Sequence, residues 1–189
     1  MRDNKDILQQ YVSDMIALDQ HIIEAVERQL GDERLGDYPG AREVVGSIKR
    51  TLAAQVGGLE QQLKNFGGDA TGPVKGAISA VAGMAAGLYD KVRQDPVSKM
   101  LRDDYTALSL ASISYTMLHT TGLALKHDGV ASAGQRYLKE LTPIVVELSK
   151  VIPPIVVKDL ADEDTLIDIS VGQQAVRNTQ QAWDSSNIR

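Results

Sequence analysis

The stretch AREVVGSIKRTLAAQVGGLEQQLKNF, residues 41–66, decides the fold. Val45, Ile48, Leu52, Val56, Leu59, Leu63 and Phe66 recur at steps of three and four, a near-unbroken apolar seam that ends at Gly67-Gly68. That period is helical, and a helix with a single apolar stripe must bury it against other helices or a sheet. Toward the N-terminus, Leu8, Val12, Met15, Ile22, Val26 and Leu30 carry a second stripe, with Tyr11, Ile16 and Ile23 beside it. It runs from Asp3 or Asn4, either of which suits an N-cap, to Gly31 as the stop. The polar loop from Gly31 to Gly40 closes with Tyr38-Pro39-Gly40, which reads as turn chemistry.

Toward the C-terminus, Thr71-Gly72-Pro73 opens a helix from Val74 to about Arg93 crowded with Gly, Ala and Ser. Such residues let another helix approach closely. A membrane dimer would read similarly, but the apolar run from Gly76 to Tyr89 falls short of the roughly 20 residues a spanning helix needs. A third long helix starts with Asp95 as N-cap and Pro96 at the first helical position. Its stripe of Val97, Met100, Leu101, Leu108, Ala111, Tyr115, Leu118, Gly122 and Leu125 leads to Asp128-Gly129. The fourth runs from about Ala131, and Tyr137, Leu141, Ile144, Leu148, Val151 and Ile155 keep phase across Pro143 and Pro153-Pro154. Kinks are expected at these prolines, with a break at Pro153-Pro154 left open. After Leu160 an acidic turn, Ala161 to Asp164, leads into a polar, weakly helical tail.

The expectation is an all-α fold: an antiparallel four-helix bundle over residues 1–160, with a short small-residue connecting helix. Residues 161–189 form a C-terminal extension that packs on the bundle or on a neighbour.

Composition narrows the function. The chain has 189 residues, 43% hydrophobic, 24% charged and 4% aromatic, with a net charge of −5. It contains no cysteine, which removes disulfides, thiolate metal sites and Cys nucleophiles. Three histidines are too few for a His-rich metal cage. A pI near 5.2, with no basic stripe interleaved with aromatics, argues against nucleic acid as a partner. The charged N-terminus, Met1 to Asp6, lacks the apolar region of a signal peptide. A cytoplasmic protein without a membrane span is expected. There is no phosphate-binding glycine motif and no nucleophile elbow.

Polar groups on the apolar seams are the better search. Asp19 occupies a core-facing step of the first helix, with His21 and Glu24 to its sides. A buried carboxylate must ligate a metal, pair with a donor, or reach water at the bundle's end. His119 lies near the seam of the third long helix, where a hydrogen-bonded core histidine is the plain reading. His127, beside Asp128-Gly129, suits a helix C-terminus through the dipole. Dinuclear metal bundles use a Glu from each of two helices and Glu-x-x-His from the other two. Here His21, His119 and His127 are preceded three positions earlier by Leu18, Thr116 and Ala124, so that motif is missing.

Residues 5–155 as a whole resemble the ferritin-like superfamily, and most closely its small bacterial stress-protein branch, the YciE/YciF-like proteins. Asp14 to Ala25 is similar to that branch's opening helix, with Asp19 where the family carries its first metal-binding Glu. Gly58-Leu59-Glu60-Gln61 resembles the end of its second helix, Ala82 to Leu88 its connecting helix, and Leu101-Arg102-Asp103-Asp104 the entry to its third. Residues 161–189 have no counterpart. The resemblance implies a di-iron site, yet the ligands do not carry over. Thr51, Leu52 and Gln55 stand where the family has Glu and His, Ile113 to Thr116 is Ile, Ser, Tyr and Thr, and Pro143, Ile144 and Val145 fill the fourth region. Only Asp19 survives, with Glu140 or Glu147 as distant candidates.

The expected function is therefore non-catalytic. The resemblance implies a metal-free, cofactor-free bundle that has lost its di-iron chemistry and acts in a stress context. It would act as a homodimer or by binding a protein partner, for which the C-terminal extension is a candidate arm. One alternative is a divergent carboxylate-ligated metal protein or oxidoreductase. Its metal ligands would be Asp19, His21, Glu24 and His119, with Asp104 and Glu147 contributing from the bundle ends, and oxygen-rich ligation would favour manganese or magnesium. A further alternative is a carrier of an apolar ligand, enclosed by the Val/Ile-rich fourth helix and the small-residue segment.

Overall fold

The computed structural model describes residues 3–67, 96–163 and 167–184. The expected small-residue helix and Asp95 lie outside them. The described chain is helical throughout, with α1 Asn4–Leu30, a 3-10 turn Glu33–Asp37, α2 Pro39–Asn65, α3 Val97–Ala124, α4 Asp128–Asp162 and α5 Val171–Trp183. No strand occurs among these residues.

Side-chain contacts fix how the four long helices sit. Gln29 near the end of α1 bonds Asp104 near the start of α3, while Asp19 and Tyr115 meet half-way. Those two helices are therefore antiparallel. Phe66, at the end of α2, lies against the His127 ring at the start of α4, and Tyr38 at the start of α2 bonds Asp159 near α4's end. The helices thus form a ring in the order α1, α2, α4, α3, with each neighbour antiparallel. α2 and α3, on the diagonal, run the same way, so α3 begins at the opposite end of the bundle from where α2 stops.

The interior is aliphatic. Leu8, Val12, Ile22, Val26, Val45, Ile48, Leu52, Leu59, Leu101, Leu108, Leu118, Leu141 and Leu148 are all buried, which is the seam pattern expected from the sequence. Two glycines bring α3 and α4 to backbone contact. A Cβ on Gly122 would lie 2.4 Å from the Ala131 nitrogen, and one on Gly134 would lie 2.7 Å from the His119 nitrogen. No other residue fits at either position.

Several local expectations need correction. Pro39 and Gly40 are not a turn; they open α2, because proline's fixed φ suits the first helical position. The third long helix stops at Ala124, short of Asp128-Gly129, where Lys126 takes a left-handed φ of 55°. Asp128 and Gly129 instead begin α4. His127 is accordingly no C-terminal cap. It is the N-cap of α4, its Nδ1 accepting from the Val130 N–H at 3.2 Å. Pro96 is the N-cap of α3 rather than its first residue. The helix does not break at Pro153-Pro154: α4 continues through all three prolines to Asp162.

At that end of the bundle one carboxylate ties three helices. Asp159 of α4 accepts the Tyr38 hydroxyl at 2.7 Å and the Ser98 backbone N–H at 2.9 Å, supplying from α4 an N-terminal cap for α3. α5 lies back along α4. Its Gly172 sits on Pro154, Gln180 donates to the Ser149 hydroxyl at 3.1 Å, and Trp183 reaches the Tyr105 ring of α3 at 5.8 Å.

Candidate functional site: a polar layer across the bundle

Half-way along the bundle each long helix contributes a polar group to one layer. Asp19 comes from α1, Gln55 from α2, Tyr115 from α3, and Tyr137 with Glu140 from α4. The seams that bury the helices place the first three: Asp19, Gln55 and Tyr115 are fully buried. The Tyr115 hydroxyl donates to Asp19 Oδ2. The Tyr115 ring meets the Tyr137 ring edge-on at 5.5 Å, an arrangement that the glycine contacts between α3 and α4 permit. Gln55 Nε2 donates to the Tyr137 carbonyl at 3.3 Å and to Glu140 Oε2 at 3.0 Å. Glu140 leaves the layer at its rim, with its side chain 43% exposed. The Tyr137 hydroxyl passes over Gly58, where any Cβ would collide with it, and accepts from Arg136 at 2.9 Å.

The electrostatics follow from burial. Desolvation pushes the Asp19 carboxyl up to about 8, with the Tyr115 hydrogen bond opposing the shift. Burial, then the neighbouring Asp19, hold the Tyr115 phenol above its ordinary range. At neutral pH both are protonated and the layer's centre carries no charge. Asp19 Oδ1 and Gln55 Oε1 have no hydrogen-bond partner among the described residues.

The other candidates singled out from the sequence do not join this layer. His21 is half-buried and Glu24 is exposed. His119 turns toward α4, its Nδ1 2.7 Å from the Ala131 carbonyl oxygen. Asp104 is buried about three helical turns away, accepting from Gln29 Nε2 at 2.8 Å, and Glu147 is paired with Lys150 at 3.8 Å on the surface. Among the described residues no three His, Asp or Glu side chains gather within reach of one ion. The dinuclear centre implied by the resemblance does not fit the layer's donors. They are one carboxyl, a phenol, an amide and a carboxylate at the rim, where such a centre needs several anionic oxygens and imidazoles.

The sequence marks Asp19, names Gln55 only as a residue standing where the resemblance would put a ligand, and places Tyr115 and Tyr137 on apolar seams. A tyrosine on a core-facing helical step carries a hydroxyl that needs a partner, and that signal pairs it with the one inward carboxylate. Comparison with known proteins returns nothing to set beside this geometry: no family model, no curated protein and no solved structure matches the chain.

Proposed function

We propose that this chain is a non-catalytic ferritin-like bundle in which a neutral hydrogen-bonded layer stands where a dinuclear metal site would be, and that it works through its surfaces as a self-associating or partner-binding protein. One observation carries the reading. Asp19, Gln55, Tyr115 and Glu140 come one from each helix, at one level, and bond to each other or to the neighbouring backbone. Ferritin-like sites draw their ligands from four helices in that manner. The helix order supports it too, since α2 and α3 run parallel across the diagonal and require one long connection. The role in stress rests on the sequence resemblance alone.

Metal analysis tests the proposal. Protein purified without chelator and loaded anaerobically with iron and manganese should hold less than about a tenth of an equivalent, with no shift in melting temperature. One or two equivalents, retained through gel filtration and lost on Asp19→Ala, would overturn it in favour of a divergent metal protein.

A further inference from the structure

A second feature of the fold lies well away from the polar layer and does not depend on it. α5 has little stability of its own. Its 13 residues are near the length at which an isolated helix is marginal in water. Ser170 supplies no side-chain cap, and neither an acid in the first turn nor a base in the last complements the helix dipole. Arg177 is its one charged residue, so no ion pair within the helix supports it. α5 is therefore helical because it is docked.

The docking is light. Gly172, lying on Pro154 and Val157 of α4, is the buried residue of the helix, and a glycine brings no side chain to bury. One turn on, Val176 lines an open cavity of about 510 Å³ with Val151, Pro154 and Ile155 of α4. A helix that bridges a cavity forgoes the dispersion contacts of close packing. Further along, Gln180 donates to the Ser149 hydroxyl at 3.1 Å, and Trp183, 54% exposed, meets the Tyr105 ring of α3 at 5.8 Å. Elements with so little buried apolar surface open locally, at a lower free energy than the fold as a whole.

The surface under α5 is suited to a helix. Pro153 and Pro154 have no N–H, so the carbonyls of Ser149 and Lys150 lack the donor that the next turn would supply. Both belong to the stretch of α4, residues 149–157, that α5 crosses. The floor there is apolar and the rim balanced, with Asp37 and Glu147 against Lys150 and Lys158. Spare acceptors, an apolar floor and no net charge at the rim match an uncharged amphipathic helix that carries carboxamide donors. α5 is such a helix, with Gln180 bonded to Ser149.

We infer that α5 is a displaceable strap: it leaves α4 without unfolding of the bundle, and a partner's helix of the same uncharged, Gln-bearing amphipathic kind takes its place along residues 149–157. Docked α5 thus inhibits that binding. The inference holds whether or not the polar layer takes a metal, so metal analysis and the test below fail independently.

Trp183 is the one tryptophan in the chain, so its emission reports on α5. In urea titrations of the full chain, that emission should shift to the red at lower urea than the loss of far-ultraviolet circular dichroism, which the four long helices dominate. The binding probe is a fluorescein-labelled peptide of residues 167–184, followed by polarisation. Asn178→Pro breaks α5 from its exposed side and leaves α4 untouched. This variant should keep the circular dichroism of the bundle and bind the peptide saturably. Its affinity should be roughly tenfold tighter than that of the parent, whose own α5 holds the site about nine-tenths of the time. Gly172→Leu, whose side chain would meet Pro154, should give the same gain by a different route. Coincident fluorescence and dichroism transitions in the parent, equal affinity in the parent and Asn178→Pro, or no saturable binding to either variant would each overturn the inference.

Discussion

Asp19 makes the pH dependence of this fold readable at a single residue. Its carboxyl ionises near 3.8 in an unfolded chain and near 8 in the folded one, because burial disfavours the anion. Between those values the native state holds a proton that the unfolded chain has released. Stability therefore falls as pH rises through that window and levels off on either side of it. The slope contributed by one such group is at most about 1.4 kcal/mol per pH unit. Asp19→Asn keeps the shape of the protonated acid and cannot ionise, so urea denaturation at pH 5 and pH 8 should give the variant a much flatter profile and greater stability than the parent at pH 8. A parent profile already flat over that interval would show that Asp19 is not the buried acid described here. Tyr115→Phe removes the donor and leaves Asp19 Oδ2 without its partner in the core. It should cost about 1–3 kcal/mol at pH 5, measured in the same way.

Among the elements, the contact of α3 with α4 is the most constrained. A methyl group at Gly122 or Gly134 would enter the opposing backbone, which cannot rotate aside as a side chain can. Gly122→Ala and Gly134→Ala should each destabilise by about 1–3 kcal/mol or more in urea titrations, and the Tyr115–Tyr137 contact should loosen with them. Gly57→Ala, with open space around it, should be neutral or slightly stabilising through helix propensity. The helices themselves are legible in the sequence because seams such as Val45 to Leu63 carry a strong helical period. The element ends are less so. Gly129 reads as a stop after α3, but the chain turns earlier, at Lys126, and the next helix takes Asp128 and Gly129 for its first turn. Pro153-Pro154 allows a break because local propensity cannot register that α5 packs over that stretch, with Gly172 on Pro154. The polar layer is half legible. Asp19 stands out as a charge on an apolar stripe, whereas its partnership with Tyr115 depends on the register of two helices far apart in sequence.

For the molecule as a whole, charge distribution indicates where self-association would occur. From Tyr105 to Leu125, α3 carries no Asp, Glu, Lys or Arg, although part of that stretch faces outward. Ile113, Met117 and Leu123 are 56%, 51% and 57% exposed there. Thr116 and Thr120 lie between them, and Ile7 and Tyr11 of α1 extend the surface across a shallow cavity. The outer faces of α1 and α2, by contrast, carry charges such as Glu27, Lys49, Arg50 and Lys64. An uncharged face meets no like-charge repulsion when two copies meet about a two-fold axis. A stable interface needs roughly 1,200 Å² in total, so Ile7 and Tyr11 of α1 would take part beside the α3 stripe. The expected outcome is a dimer in multi-angle light scattering at tens of micromolar. Ile113→Lys with Met117→Lys should convert it to a monomer of unchanged helicity, because both side chains are on the surface and their loss should change folding stability by no more than about 1 kcal/mol in all. A parent that stays monomeric throughout that range would remove self-association and leave a different partner for the same face. A dimer untouched by the two lysines would move the interface elsewhere, and the next surface to alter would be the exposed edge of α5 around Val171 and Trp183.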